Sequence, residues 1–159
     1  MENSTHTPRP DIQDVSPAVY AHMRGFTKLL GESGLDAGLR ELIKVRASQI
    51  NSCAYCLDMH VQEARKLGIS DDRLHLLNAW REAPGFSDAE RAALALTEAV
   101  TLISKGGVSD ALYNQVREHY SAEQYVGLLT TINVINAWNR FMVGLGAVPP
   151  SVNECTGDT

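Results

Sequence analysis

No apolar run in this 159-residue chain approaches the roughly 20 residues that a bilayer-spanning helix needs. The first ten residues, Met1 to Pro10, are polar and lack the apolar stretch of a secretory signal. The 14 Lys and Arg residues are scattered, and the absence of a basic block argues against nucleic acid as a partner. Alternating apolar and polar runs between turn residues are missing, so half-buried strands are not expected. No internal repeat and no low-complexity segment stands out. Cysteine is scarce, with only Cys53, Cys56 and Cys155. What is present fits a globular domain: 44% apolar and 21% charged residues, a net charge of −5 and a pI near 5.5. The expected setting is the cytoplasm, with no membrane partner.

Helix signals fill the space that strands leave. A first helix is expected from about Ser16 to Leu30, stopping at Gly31. Asp36 can cap a second, which carries Leu39, Leu42, Ile43 and Ile50 on one stripe. A third begins near Cys53 and ends at Gly68. Ser70 caps a short fourth through Leu74, Leu77 and Trp80, closed by Pro84-Gly85. Ser87 and Glu90 form a capping box for a fifth, which ends at Gly106-Gly107. Ser109 starts a sixth, and Ser121 with Gln124 a long seventh over about 122–143. The reading is an all-α, single-domain bundle of six to seven helices over 15–148. A disordered segment is expected at 1–14 and a flexible tail, containing Cys155 as a solvated thiol, at 149–159.

A close cysteine pair in a reducing compartment reads as catalytic or metal-binding sooner than as a structural staple. Cys53 and Cys56, three apart at a helix start, can approach closely enough for a disulfide. His60 lies four residues beyond Cys56. At about 100° per residue, all three fall on one flank of the stripe Leu57, Val61, Ala64, at the core boundary and reachable from solvent. The helix N-terminus favours a thiolate, and an imidazole can take its proton. Cys53 is nearer the dipole and Cys56 nearer His60, so the residues alone leave open which sulfur is the more acidic. Two other readings compete: a pair of buried apolar residues, and a zinc site on Cys53, Cys56 and His60. A structural zinc normally takes four ligands, and His6, His22, His75 and His119 stand apart, so no metal is expected. Leu57 after Cys56 excludes covalent c-type haem, and no cofactor is expected.

Glu41, eleven residues, Cys53-x-x-Cys56, three residues and His60 together resemble the Glu-x11-Cys-x2-Cys-x3-His signature of alkyl hydroperoxidase D-like proteins, within the carboxymuconolactone decarboxylase superfamily. The blocks starting at Leu39, Trp80 and Glu90, and Ile135-Asn-Ala-Trp-Asn-Arg, agree in order over roughly residues 15–145. The resemblance implies an all-α fold assembling into homo-oligomers, commonly trimers or hexamers. It implies a thiol-dependent peroxidase for antioxidant defence, with Cys56 peroxidatic, Cys53 resolving, and Glu41 and His60 as proton relay. The implied partners are a peroxide and a lipoyl- or thioredoxin-like dithiol reductant. Alternatives are a thiol–disulfide oxidoreductase without peroxidase activity, a decarboxylase-like enzyme, and a non-enzymatic zinc or interaction module. Tyr55 stands where the best-known peroxidase members carry histidine. On its own helix Glu41 falls away from the apolar stripe, so its face must be covered by another helix or subunit if it is catalytic. Trp80, Leu128, Leu129 and Trp138 read as core or interface.

Overall fold

Serine and aspartate side chains set the helix starts. In a computed structural model describing residues 9–152, Asp36 accepts from the N–H of Leu39 at 2.9 Å, Ser70 caps through Arg73, and Ser109 through Leu112. Both capping boxes, Ser87–Glu90 and Ser121–Gln124, are complete. Each satisfies backbone donors that the first turn leaves without intrahelical partners.

The elements are α1 Ile12–Val15, α2 Pro17–Lys28, α3 Ala37–Ile50, α4 Ala54–Lys66, α5 Asp71–Leu76, α6 Asp88–Thr101, α7 Asp110–Arg117 and α8 Ala122–Leu145, with short 3-10 turns after α2, α5 and α6. A further helical turn opens at Pro150. No strand occurs among the described residues, and none of their helices is long and apolar enough to cross a membrane. The helix count exceeds the expected six to seven because the N-terminal segment contributes α1 and the chain turns again at Pro150.

Residues 9–14, within the segment expected to be disordered, are tied down. Asp11 caps α1, Ile12 is buried, and Arg9 donates to the carbonyl of Gly144 at 2.8 Å. Residues 1–8 and 153–159, and with them Cys155, lie outside the described residues. The start of the C-terminal tail leans on α4, where the N–H of Ser151 donates to Asp58 at 2.9 Å.

α3 is the hub, packing against α4, α6 and α8. Leu39 and Ile43 face Leu96, Leu128 and Ile132 on one side. Leu42 and Val45 face Leu77, Trp80 and Leu94 on the other. The 24-residue α8 is about 36 Å long and carries the wall behind the cysteines. It comes so close to the Ser33–Leu35 loop that a Cβ on Gly127 would lie 2.9 Å from Cβ of Ser33 and 3.1 Å from its carbonyl oxygen. Gly127→Ala gains helix propensity but forces that loop away. A net loss of about 1–2 kcal/mol is expected, read as a lower denaturant midpoint with unchanged slope.

Candidate active site

The site begins in a tight turn. Ser52 holds φ at 52°, the left-handed region, at a cost of order 1 kcal/mol for a residue with a Cβ. This folds α4 back along α3, with the N–H of Cys53 donating to the Ser48 carbonyl at 3.0 Å. Cys53 becomes the N-cap of α4, and Cys56 lies in its first turn. The turn is pinned from α8: Nδ2 of Asn51 donates to Asn136 at 2.8 Å and to Asn139 at 2.9 Å. Nδ2 of Asn139 donates in turn to Ser48 at 3.0 Å.

Glu41 lies beyond the first turn of α3 and is only 8% exposed, so the face that falls away from the apolar stripe of its own helix is covered. α4 supplies the cover that a buried acid requires. Oε2 of Glu41 meets Nδ1 of His60 at 2.8 Å, and Oε1 meets Nζ of Lys44 at 2.6 Å. Burial works to raise the carboxyl pKa, but the His60 hydrogen bond and the His60 and Lys44 charges outweigh it, and the group sits below its ordinary value. With Nδ1 turned to the carboxylate, Nε2 is the nitrogen free for proton transfer.

Cys53 and Cys56 are not joined in a disulfide, and each is 1% exposed. This corrects the expectation of a pair at the core boundary and reachable from solvent. Tyr55 and, from α8, Ile135, Trp138 and Met142 pack over them. The sulfurs differ in what they face. Cys56 and His60 line a cavity of about 140 Å³, whose lining does not include Cys53. The walls are mostly apolar, from Met59, Ile135, Trp138 and Met142, and α2 closes one side with Tyr20 and Thr27. The volume is close to that of a cavity able to hold benzene, about 150 Å³. Trp138 is fixed by its Nε1 donating to Thr27 at 2.9 Å and by an edge-on Tyr20 ring at 5.9 Å.

The pair shares one proton. The Cys56 S–H donates to the Cys53 sulfur, and this outweighs burial. Backbone N–H groups of Cys56 and Tyr55 and the Asn139 amide add to it, although none completes a formal cap bond. Cys53 is brought down to about 6, while Cys56, as donor in a buried position beside that charge, is pushed up. A thiolate absorbance midpoint near pH 6 is therefore expected for the reduced protein. Cys56→Ala removes the principal donor and should move it toward the ordinary thiol range of about 8.5. A lowered folded-state value stabilises the fold above the unfolded-state value. The reduced form should thus gain stability as pH rises from about 6 toward the unfolded thiol range, and lose it as pH falls back.

The structure pairs Glu41 with His60 and Cys53 with Cys56, places Cys56 and His60 on one cavity, and adds residues that the sequence reading passed over. Asn139, Asn51 and Ser48 position the turn, Lys44 neutralises half of Glu41, and Trp138 is a cavity wall as well as a core residue. The one available signal was their placement in or beside the matched blocks. Among the described residues no group of three or more His, Cys, Asp or Glu side chains could hold a metal ion.

Residues 17–99 match the model of the carboxymuconolactone decarboxylase family. An uncharacterized protein of Bacillus subtilis, YdfG, is 44% identical over 138 residues, covering 87% of this chain and 94% of that protein. A protein of unknown function from Agrobacterium tumefaciens, proposed to be the antioxidant defence protein AhpD, superposes with a TM-score of 0.87 at 38% identity, covering 90% of this chain and 98% of the other. A cysteine-to-alanine variant of the debrominase Bmp8, in complex with 2,3,4-tribromopyrrole, shares the fold alone: TM-score 0.77, 18% identity, covering 90% of this chain and 76% of that one. Family model, extended identity and superposition agree with the all-helical fold, and the chain belongs to the carboxymuconolactone decarboxylase family as an AhpD-like member.

Proposed function

We propose that the protein is a cysteine-dependent peroxidase reducing organic hydroperoxides in the cytoplasm. The observation that carries this reading is that Cys56, alone of the pair, lines an apolar cavity together with His60, whose other nitrogen is held by a buried Glu41.

The reaction starts with Cys53 as thiolate, Cys56 as thiol and His60 protonated against Glu41. The shared proton passes from Cys56 to Cys53, putting charge on the cavity-facing sulfur. Cys56 attacks the terminal oxygen of ROOH. The O–O bond breaks, a Cys56 sulfenic acid forms, and the departing alkoxide takes the His60 proton to give ROH. His60 then accepts the proton of Cys53, whose thiolate attacks the Cys56 sulfur. Hydroxide leaves with that proton as water, and the two electrons that reduced the peroxide have come from the thiol pair, which is left as a disulfide. A lipoyl- or thioredoxin-like dithiol restores the pair by exchange. The apolar exposed side of α2, with Val19 and Phe26 beside the outlying Val15 and Leu29, is the surface on which a homo-oligomer would form.

A thiol–disulfide oxidoreductase is the second reading, favoured by the lowered pKa of Cys53 at the helix start. One experiment separates them. The reduced protein is mixed with one equivalent of cumene hydroperoxide, and free thiols and alcohol are measured together. The peroxidase reading requires two thiols lost per alcohol formed. Thiols that persist with peroxide, but oxidise readily with a disulfide donor, would leave the second.

A further inference from the structure

α2 contains no acidic residue, and its Arg24 lines the cavity that Cys56 faces. The other described arginines each hold a carboxylate, carbonyl or amide oxygen. Arg24 alone among them has no bonded partner in the described residues. Arg24 and Lys44 line the cavity beside His60, and no carboxylate does. Lys44 is engaged with Glu41, which leaves the Arg24 charge uncompensated. A positive surplus at an apolar cavity is the reverse of the chain's balance of −5, so it does not follow from composition.

Resting on the peroxidase reading, we propose that Arg24 is a specificity residue for organic hydroperoxides that carry a carboxylate. The apolar body of such a substrate lies against Trp138 and Met142, its peroxide group reaches Cys56 and His60, and its carboxylate meets the guanidinium. A guanidinium offers paired N–H donors matched to carboxylate geometry. Arg24 is exposed, and at such a position this contact adds about tenfold in affinity over a neutral substrate of the same shape. It acts on binding, since the carboxylate takes no part in O–O cleavage, and so appears in KM.

The test compares wild type, Arg24→Gln, Arg24→Lys and a Lys28→Gln control on three substrates: a carboxylated cumene hydroperoxide, its methyl ester, and hydrogen peroxide. Wild type is expected to favour the acid over the ester about tenfold in kcat/KM. Arg24→Gln should erase that preference through KM and leave hydrogen peroxide turnover unchanged, Arg24→Lys should restore part of it, and Lys28→Gln should match wild type. Equal use of acid and ester by the wild type would overturn the proposal. So would an Arg24→Gln variant that loses all three substrates alike. If no peroxide is reduced, the peroxidase reading fails by itself, and binding of benzoate against benzamide, followed by tryptophan emission, decides the site. A benzoate preference lost in Arg24→Gln sustains an anion-binding cavity, and equal binding overturns it.

Discussion

Cys56→Ser is expected to slow peroxide-driven thiol loss by about three orders of magnitude or more, the scale on which removal of a nucleophile acts. The pair's remaining thiol, Cys53, is the more acidic of the two in the wild type but does not line the cavity, so it should not rescue the reaction. Cys53→Ser should behave differently. It keeps the sulfur that lines the cavity, so one equivalent of peroxide should still be consumed at a measurable rate. The product stops at the sulfenic acid, and multiple turnover fails for want of a resolving thiol. It should also abolish the ionisation near pH 6. Stopped-flow thiol counting on the two variants distinguishes these outcomes, because the defects fall on different steps.

Glu41→Gln is expected to cost about a hundredfold in kcat/KM and about 1–3 kcal/mol of stability. The carboxylate bonds His60 and Lys44 at once. A neutral amide cannot hold a protonated imidazole by charge, and it leaves Lys44, whose side chain is only 13% exposed, without its counter-ion. The pH dependence has a definite sign. The Glu41 carboxyl lies below its usual value in the folded state. Its contribution is therefore full above the unfolded carboxylate range, near 4.3, and is lost as pH falls through the lower folded value. The stability difference between wild type and Glu41→Gln should accordingly shrink in acid, which denaturant titration across that range measures.

Much of the local structure is legible in the sequence, because caps and breakers act within four residues. Asp36, Ser70, Ser87, Ser109 and Ser121 mark helix starts by chemistry that needs no tertiary partner. The cavity shared by Cys56 and His60 follows equally from helical rotation, whereas Cys53, as the extended N-cap, lies outside it. What depends on distant chain does not show. Glu41 looks solvated on its own helix because its cover, α4, arrives only when the left-handed Ser52 turns the chain back. The burial of the sulfurs depends on Trp138 and Met142, some 80 residues further on. α1 escapes notice because Ile12 and Val15, the ends of a four-residue helix, are too few to show a period. Arg24 gives no signal at all, since a guanidinium without a partner is defined by what folds around it.

The central claim is that the cavity-facing sulfur, Cys56, attacks the peroxide although the resting thiolate sits on Cys53. The most direct measurement exposes reduced Cys53→Ser and Cys56→Ser proteins to one equivalent of cumene hydroperoxide in the presence of dimedone, a sulfenic-acid trap. Peptide mass spectrometry then locates the adduct. An adduct on Cys56 in the first protein, and none in the second, is the expected result. An adduct on Cys53 in the second, with Cys56 left unmodified in the first, would contradict the claim and assign the attack to the more acidic thiol.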